Sequence, residues 1–252
     1  MDERSVSRYL DRIGAARPAA PDAEGLRALQ LAHLRTVPFE NLSIHLGEPI
    51  VLEPGALYAK VVERRRGGFC YELNGLFAEL LTALGYRVTP LAARVFAGPG
   101  LTPPLDHLAL RVDLDEPWLV DVGFGEFVDA PLRLDERGEQ EDANGLCRIV
   151  PDGFGDLDVH RNGRPEYRLD CRPYTLEDFV PAAWWHSTSP GSHFARSPVC
   201  SLRTPEGRLT LSGDKLITTA YGKRTETVLA ADEVLPAYRE HFGLTLDRAP
   251  LG

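Results

Sequence analysis

Apolar residues recur at helical spacing through the first third of the chain. Val6, Tyr9, Leu10 and Ile13 form one stripe behind Ser5 as a candidate cap, and Gly14 stops it, which predicts a short amphipathic helix over residues 6–13. Leu26, Leu29, His33, Leu34 and Val37 repeat the pattern until Pro38, so a second helix is expected at residues 22–36. Pro54 suits a first helical turn. Behind it, Leu57, Tyr58, Val61 and Val62 mark the apolar face of a third helix, which runs into Arg64, Arg65 and Arg66 and breaks at Gly67 and Gly68. From Cys70 onward, Leu73, Leu76, Phe77, Leu80, Leu81 and Leu84 build the strongest stripe in the sequence, closed by Gly85.

After Gly85 the period changes. Short runs rich in Val, Leu and aromatics, separated by Pro, Gly and Asp, predict strands at residues 87–96, 107–114 and 118–124, then at 131–134, 147–150, 166–169, 199–203, 208–211 and 215–220. Helical texture returns only at 184–186 and 232–241. The layout is therefore α+β: a helical part over residues 1–85, a strand-rich part over 86–185, and a smaller strand-plus-helix part over 186–252.

Composition narrows the function classes. The 43% hydrophobic and 26% charged content is that of an ordinary globular protein. A formal net charge of −9 offers no long-range attraction to phosphate backbones or anionic lipid, so neither nucleic acid nor a membrane surface is an expected partner. The segment MDERSVSRYL has no apolar run of the signal-peptide kind, and nowhere do 18 uncharged apolar residues run together, so a cytoplasmic location is expected. Cys70, Cys147, Cys171 and Cys200 lie far apart with no CxxC pair, which suits free thiols in a reducing compartment. His45, His160, His186, His193 and His241 show no metal-ligand spacing with Cys, Asp or Glu, so no metal is expected.

Candidate chemistry begins at RRRGGFCYELNGLF. Cys70 falls in the first turn of the strongest helix, after two glycines that let the backbone approach a substrate. Free N–H groups and the positive end of the helix dipole favour a thiolate there, as would Arg64, Arg65 or Arg66 if one faced the sulfur. The same N–H groups suit an oxyanion. Alone, a cysteine at a helix start also fits a small buried side chain, and His107 alone fits a structural histidine. The stranger feature is Asp121 inside the apolar run WLVDVGFG, because a buried carboxylate needs a partner. Both residue numbers are odd, so an odd-numbered loop between the two strands faces His107 and Asp121 to one side; pairing residue 111 with 117 sets them directly opposite. A carboxylate that fixes one imidazole nitrogen leaves the other to take a thiol proton.

Four blocks in order resemble the signatures of the arylamine N-acetyltransferases: VPFENL at residues 37–42, RGGFCYELNGLF at 66–77, DHLALRV around His107, and VDVGFG at 120–125. TSPGSHFARSPVCSLRT and REHFGL near the C-terminus are similar too. The resemblance implies a helical bundle, a central antiparallel β-barrel and an α/β lid. It also implies ping-pong transfer of acetyl from acetyl-CoA, a co-substrate rather than a bound cofactor, through a thioester on Cys70 to an aromatic amine or hydrazine. By position in the motifs, Cys70, His107 and Asp121 match the catalytic triad. Phe39, Val95, Phe124 and Gly125 match substrate-binding positions, and Glu40 and Arg66 match a structural ion pair. Glu126 stands where the family often has a second glycine, and Gly191 where its bacterial members usually have Asn.

Relatives that release a polyketide from its carrier protein as a macrolactam share this triad, so an amide synthase, with another acyl thioester as donor and a carrier protein as partner, is the alternative reading. A thiol hydrolase or transglutaminase-like enzyme would also use Cys, His and Asp in this order. A non-catalytic binding protein would fit better if one of the three were missing. Trp184 and Trp185 are read as packing residues and Arg64 to Arg66 as a solvated helix end.

Overall fold

The computed structural model describes residues 1–98 and 100–250. Its N-terminal part holds α1 (Glu3–Ile13), α2 (Ala23–Thr36), β1 (Phe39–Glu40), α3 (Leu42–Leu46), α4 (Pro54–Tyr58) and α5 (Cys70–Ala83). α1 starts earlier than its apolar stripe, because Asp2 rather than Ser5 is the cap and accepts the Ser5 N–H at 2.8 Å. The expected third helix is interrupted: α4 runs into a π turn, Ala59–Glu63, which buries Lys60 together with Val61 and Val62. α3, five residues long, is too short to show a period. Leu26, Leu29, Tyr71, Leu73, Phe77 and Leu80 lie at the centre of the bundle core.

The middle of the chain forms β2 (Arg87–Ala97), β3 (Gly100–Leu101), β4 (His107–Asp113), β5 (Pro117–Val120), β6 (Leu132–Arg133), β7 (Gln140–Asp142), β8 (Gly145–Pro151), β9 (Leu157–Arg161) and β10 (Arg164–Asp170). They pair antiparallel in the order β6-β5-β4-β2-β10-β9-β8-β7, with β3 on β2, as a nearly closed barrel. On β4, Leu108, Leu110 and Val112 join the bundle core against α5, while Ala109 joins the barrel core with Leu119, Ile149, Val159 and Tyr167. His107 shares the parity of Ala109 and so belongs to the barrel side. The strand expected over 118–124 ends at Val120, where the chain leaves the sheet. Arg111 pairs with Leu119 rather than residue 117, because the turn closes tightly over residues 114–116 and sets Asp113 against Pro117. The shift is two residues, so the face is preserved.

The C-terminal part holds α6 (Val180–Thr188), β11 (Val199–Thr204), β12 (Gly207–Ser212), β13 (Lys215–Ala220), β14 (Lys223–Val228) and α7 (Ala231–Phe242). β1 joins these strands as the edge of a five-stranded sheet, with Phe39 opposite Ser201 and Glu40 opposite Cys200. Leu42 and Leu46 share a core with Cys200, Leu211, Tyr238 and Phe242, so residues 39–46 cross from the bundle into the C-terminal layer. α6 spans the limit expected at residue 185. Trp184 does not pack inside, being 67% exposed, whereas the Trp185 ring packs on buried His186 at 5.0 Å between centroids. Among the described residues no helix is long and apolar enough to cross a membrane.

Candidate active site

Cys70 is the first residue of α5 and is buried. The chain reaches it through Gly67, where any Cβ would overlap the Pro38 carbonyl, so the two backbones approach as only glycine permits. Glu72 then fixes the helix start: its Oε2 accepts the Phe69 N–H at 3.2 Å and its Oε1 meets Nζ of buried Lys60 at 2.7 Å. Burial lifts the Glu72 carboxyl above its ordinary range, against the pull of Lys60. Arg66 forks onto Glu40 at 2.9 Å and Glu48 at 3.2 Å, while Arg64 and Arg65 are exposed. The basic run therefore serves the fold, and its third arginine is no solvated helix end. At the start of α5 the Cys70 and Tyr71 N–H groups precede any helical acceptor, which leaves them available to an oxyanion.

His107 opens β4, and Asp121 follows the last residue of β5. Nε2 of His107 lies 2.7 Å from Oδ2 of Asp121, and both side chains are almost wholly shielded. The other oxygen of Asp121 accepts from Nδ2 of Asn74 and from the Gly123 N–H, each at 2.9 Å. Asn74 sits one turn beyond Cys70 on α5. It also donates to the Leu108 carbonyl at 2.6 Å and accepts the Val122 N–H at 2.9 Å, so one amide ties α5, β4 and the Asp121 loop together. Sequence reasoning missed it, although a lone amide inside the apolar stripe of α5 was the available signal. Gly123 completes the join: a Cβ there would come within 2.7 Å of the Cys70 Cα and 2.8 Å of Asn74 Nδ2.

Burial opposes a charge on His107, but Asp121 and the Cys70 thiol outweigh it and push the ring up to about 10. With Nε2 on the carboxylate, Nδ1 is the nitrogen left to the thiol. Sulfur, imidazole and carboxylate are thus brought together in chain order.

Cys70 and His107 open onto a cavity of about 230 Å³, walled by Phe39, Val95, Phe124 and Phe194. The Phe124 and Tyr167 rings pack on His107 at 5.1 and 5.3 Å between centroids. Gly125 stands outside the lining, where a Cβ would touch the Phe39 ring at 3.6 Å. Glu126 is 70% exposed and 3.8 Å from Arg161, so the residue in the glycine's place turns to solvent. Asp106 and His193 also line the cavity, and His186 lies beside Asp106; the spacing of the two histidines in the sequence gives no sign of this place. Among the described residues no three His, Cys, Asp or Glu side chains are grouped to hold a metal. A nearly buried thiol beside a nearly buried base is equipped for covalent acyl transfer.

The N-acetyltransferase family matches residues 22–251. The chain is 36% identical to an arylamine N-acetyltransferase of Mycolicibacterium smegmatis over 94% of its own length and 91% of the relative's. The solved arylamine N-acetyltransferase of Salmonella typhimurium superposes with a TM-score of 0.90 at 32% identity, covering 100% of this chain and 95% of that one. The Mycobacterium marinum arylamine N-acetyltransferase, solved in complex with CoA, superposes with a TM-score of 0.87 at 34% identity, covering 95% and 92%. Fold and matches together define an acyltransferase. The chain belongs to the arylamine N-acetyltransferase family.

Proposed function

We propose that the protein moves an acetyl group from acetyl-CoA to an aromatic amine or hydrazine through a thioester on Cys70. His107 takes the thiol proton at Nδ1, and the sulfur attacks the acetyl carbonyl, forming the new C–S bond as the π pair moves onto oxygen. The first N–H groups of α5 receive that oxyanion. It collapses, the bond to the CoA sulfur breaks, and His107 returns its proton to the departing thiolate. The amine nitrogen then attacks the thioester; the C–N bond forms, the C–S bond to Cys70 breaks, and His107 passes the amine proton to the cysteine sulfur. Asp121 holds the ring in the tautomer that this traffic needs.

The observation that carries this reading is the 2.7 Å bond from His107 to Asp121 beside a buried thiol at a helix start. The CoA-bound Mycobacterium marinum relative supports the donor, and the aromatic wall supports an aromatic acceptor. Four free thiols fit a cytoplasmic setting. Polyketide release finds no support, since the curated relatives bear the arylamine N-acetyltransferase name. The divisions at residues 85 and 185 go with this proposal, the first part carrying the thiol and the second the imidazole and carboxylate. Intact-mass measurement after incubation with acetyl-CoA, malonyl-CoA and a thioester-linked polyketide mimic tests it. One acetyl group should appear on the wild type and none on Cys70→Ser; an adduct from the polyketide mimic alone would reject the donor.

A further inference from the structure

Beside the Cys70 group stands a second carboxylate and imidazole that the reaction above leaves unused. Asp106 places Oδ1 3.0 Å from Nε2 of His186 on α6, and both side chains are all but buried. The other nitrogen of that ring is 3.3 Å from Oγ of Ser192, which is fully buried and also accepts the Phe194 N–H. From α5, Tyr71 donates to the Leu105 and Asp106 carbonyls at 2.8 and 2.9 Å, so the main chain beneath Asp106 is fixed. The two pairs are turned in opposite senses. In one, the imidazole of His107 borders the cavity and Asp121 lies behind it; in the other, Asp106 borders the cavity and His186 lies behind.

A carboxylate in a largely apolar wall is costly unless its charge is met. Burial acts against ionisation of Asp106, but hydrogen bonds from His186 and Thr102 prevail and hold its carboxyl below the usual range. A carboxylate has about four acceptor positions, so these two donors leave capacity for another from the cavity. The cavity, at about 230 Å³, exceeds the roughly 150 Å³ that accommodates a benzene ring. It therefore has room for a one-ring acceptor and its nitrogen substituent.

We propose that Asp106 selects the nitrogen nucleophile, accepting an N–H from the incoming acceptor and favouring hydrazides and hydrazines, with their second N–H-bearing nitrogen, over plain anilines. This rests on the thioester route proposed above. As the terminal nitrogen's lone pair forms the C–N bond, Asp106 holds the N–H of the second nitrogen, a contact that a plain aniline lacks. The proton still leaves to His107, and Asp106 keeps none.

The test separates the two half-reactions. Wild type and Asp106→Asn are first acetylated on Cys70 with acetyl-CoA, followed by intact mass, then mixed with benzoic hydrazide or aniline in single turnover. Acetylation should fall less than transfer to the hydrazide does. Transfer to the hydrazide should fall about 10- to 100-fold, as loss of a charge-assisted hydrogen bond implies, and transfer to aniline by less. An unchanged hydrazide-to-aniline ratio, or acetylation falling as far as transfer, overturns the proposal. If Asp106→Asn does not fold, His186→Gln, which keeps the carboxylate but loosens its orientation, should lower the same ratio about threefold, and an unchanged ratio there overturns it equally. Absence of any acetyl adduct on the wild type would sink the thioester route and this inference with it; a normal adduct with an unchanged ratio sinks this inference alone.

Discussion

Replacing Asp121 by Asn tests the proposed role of the carboxylate with almost no change of shape. Its Oδ1 receives two N–H donors, from Asn74 and Gly123, each at 2.9 Å. An amide nitrogen at that position would face both donors, so the asparagine must keep its oxygen there and turn its NH2 toward His107. Nε2 of His107 must then accept, and the ring proton moves to Nδ1, where it points at the sulfur it should deprotonate. The ring also loses the negative charge that contributes to raising it to about 10. A base locked in the wrong tautomer should slow acylation of Cys70 by about 100- to 10,000-fold, while the two donor contacts survive and the fold stays intact. The assay is the pre-steady-state burst of CoA release from acetyl-CoA, with thermal melting as the control for folding. A burst within threefold of wild type, from a variant that melts normally, would refute the argument that this carboxylate sets the tautomer.

Cys70→Ala should abolish turnover and adduct formation at a stability cost of about 1 kcal/mol, read by acetyl transfer and denaturant melts; measurable transfer would reject the thiol as nucleophile. Lys60→Met should cost about 3–5 kcal/mol by leaving Glu72 buried without its partner at 2.7 Å, and chemical unfolding that shows less than about 1 kcal/mol would count against the pair as an anchor of α5. The folded His107 is raised to about 10 from about 6.5 in the unfolded chain. Its protonation therefore contributes stability that is full below about pH 6.5 and lost as pH rises toward 10. Melting temperatures measured from pH 6 to 10 should fall less steeply in His107→Gln than in wild type, and parallel curves would contradict the linkage.

What could be seen in the sequence was local. α5 shows its apolar period within fourteen residues, and that period alone places Cys70 in the first turn. β4 and β5 announce themselves through Val, Leu and Trp, whereas β14 has every residue exposed and β7 reads Gln-Glu-Asp, so neither carries an apolar alternation to detect. Register is a different kind of information. The parity of His107 and Asp121 survives any two-residue slip, which is why one face could be foreseen while the pairing of Arg111 with Leu119 could not. Contacts made across the chain were the least visible. Nothing near Phe39 signals that it will pair with Ser201, and nothing near Asp106 signals a histidine eighty positions later. Asn74 falls between these cases. An amide in an apolar stripe is visible as an anomaly, but its purpose emerges only when β4 and the Asp121 loop fold against α5 and supply Leu108, Val122 and Asp121 as partners. The proposed chemistry thus depends on a residue whose hydrogen bonds go to Leu108, Asp121 and Val122 rather than to the sulfur, and whose part is to hold a carboxylate oxygen so that the other oxygen can hold a ring.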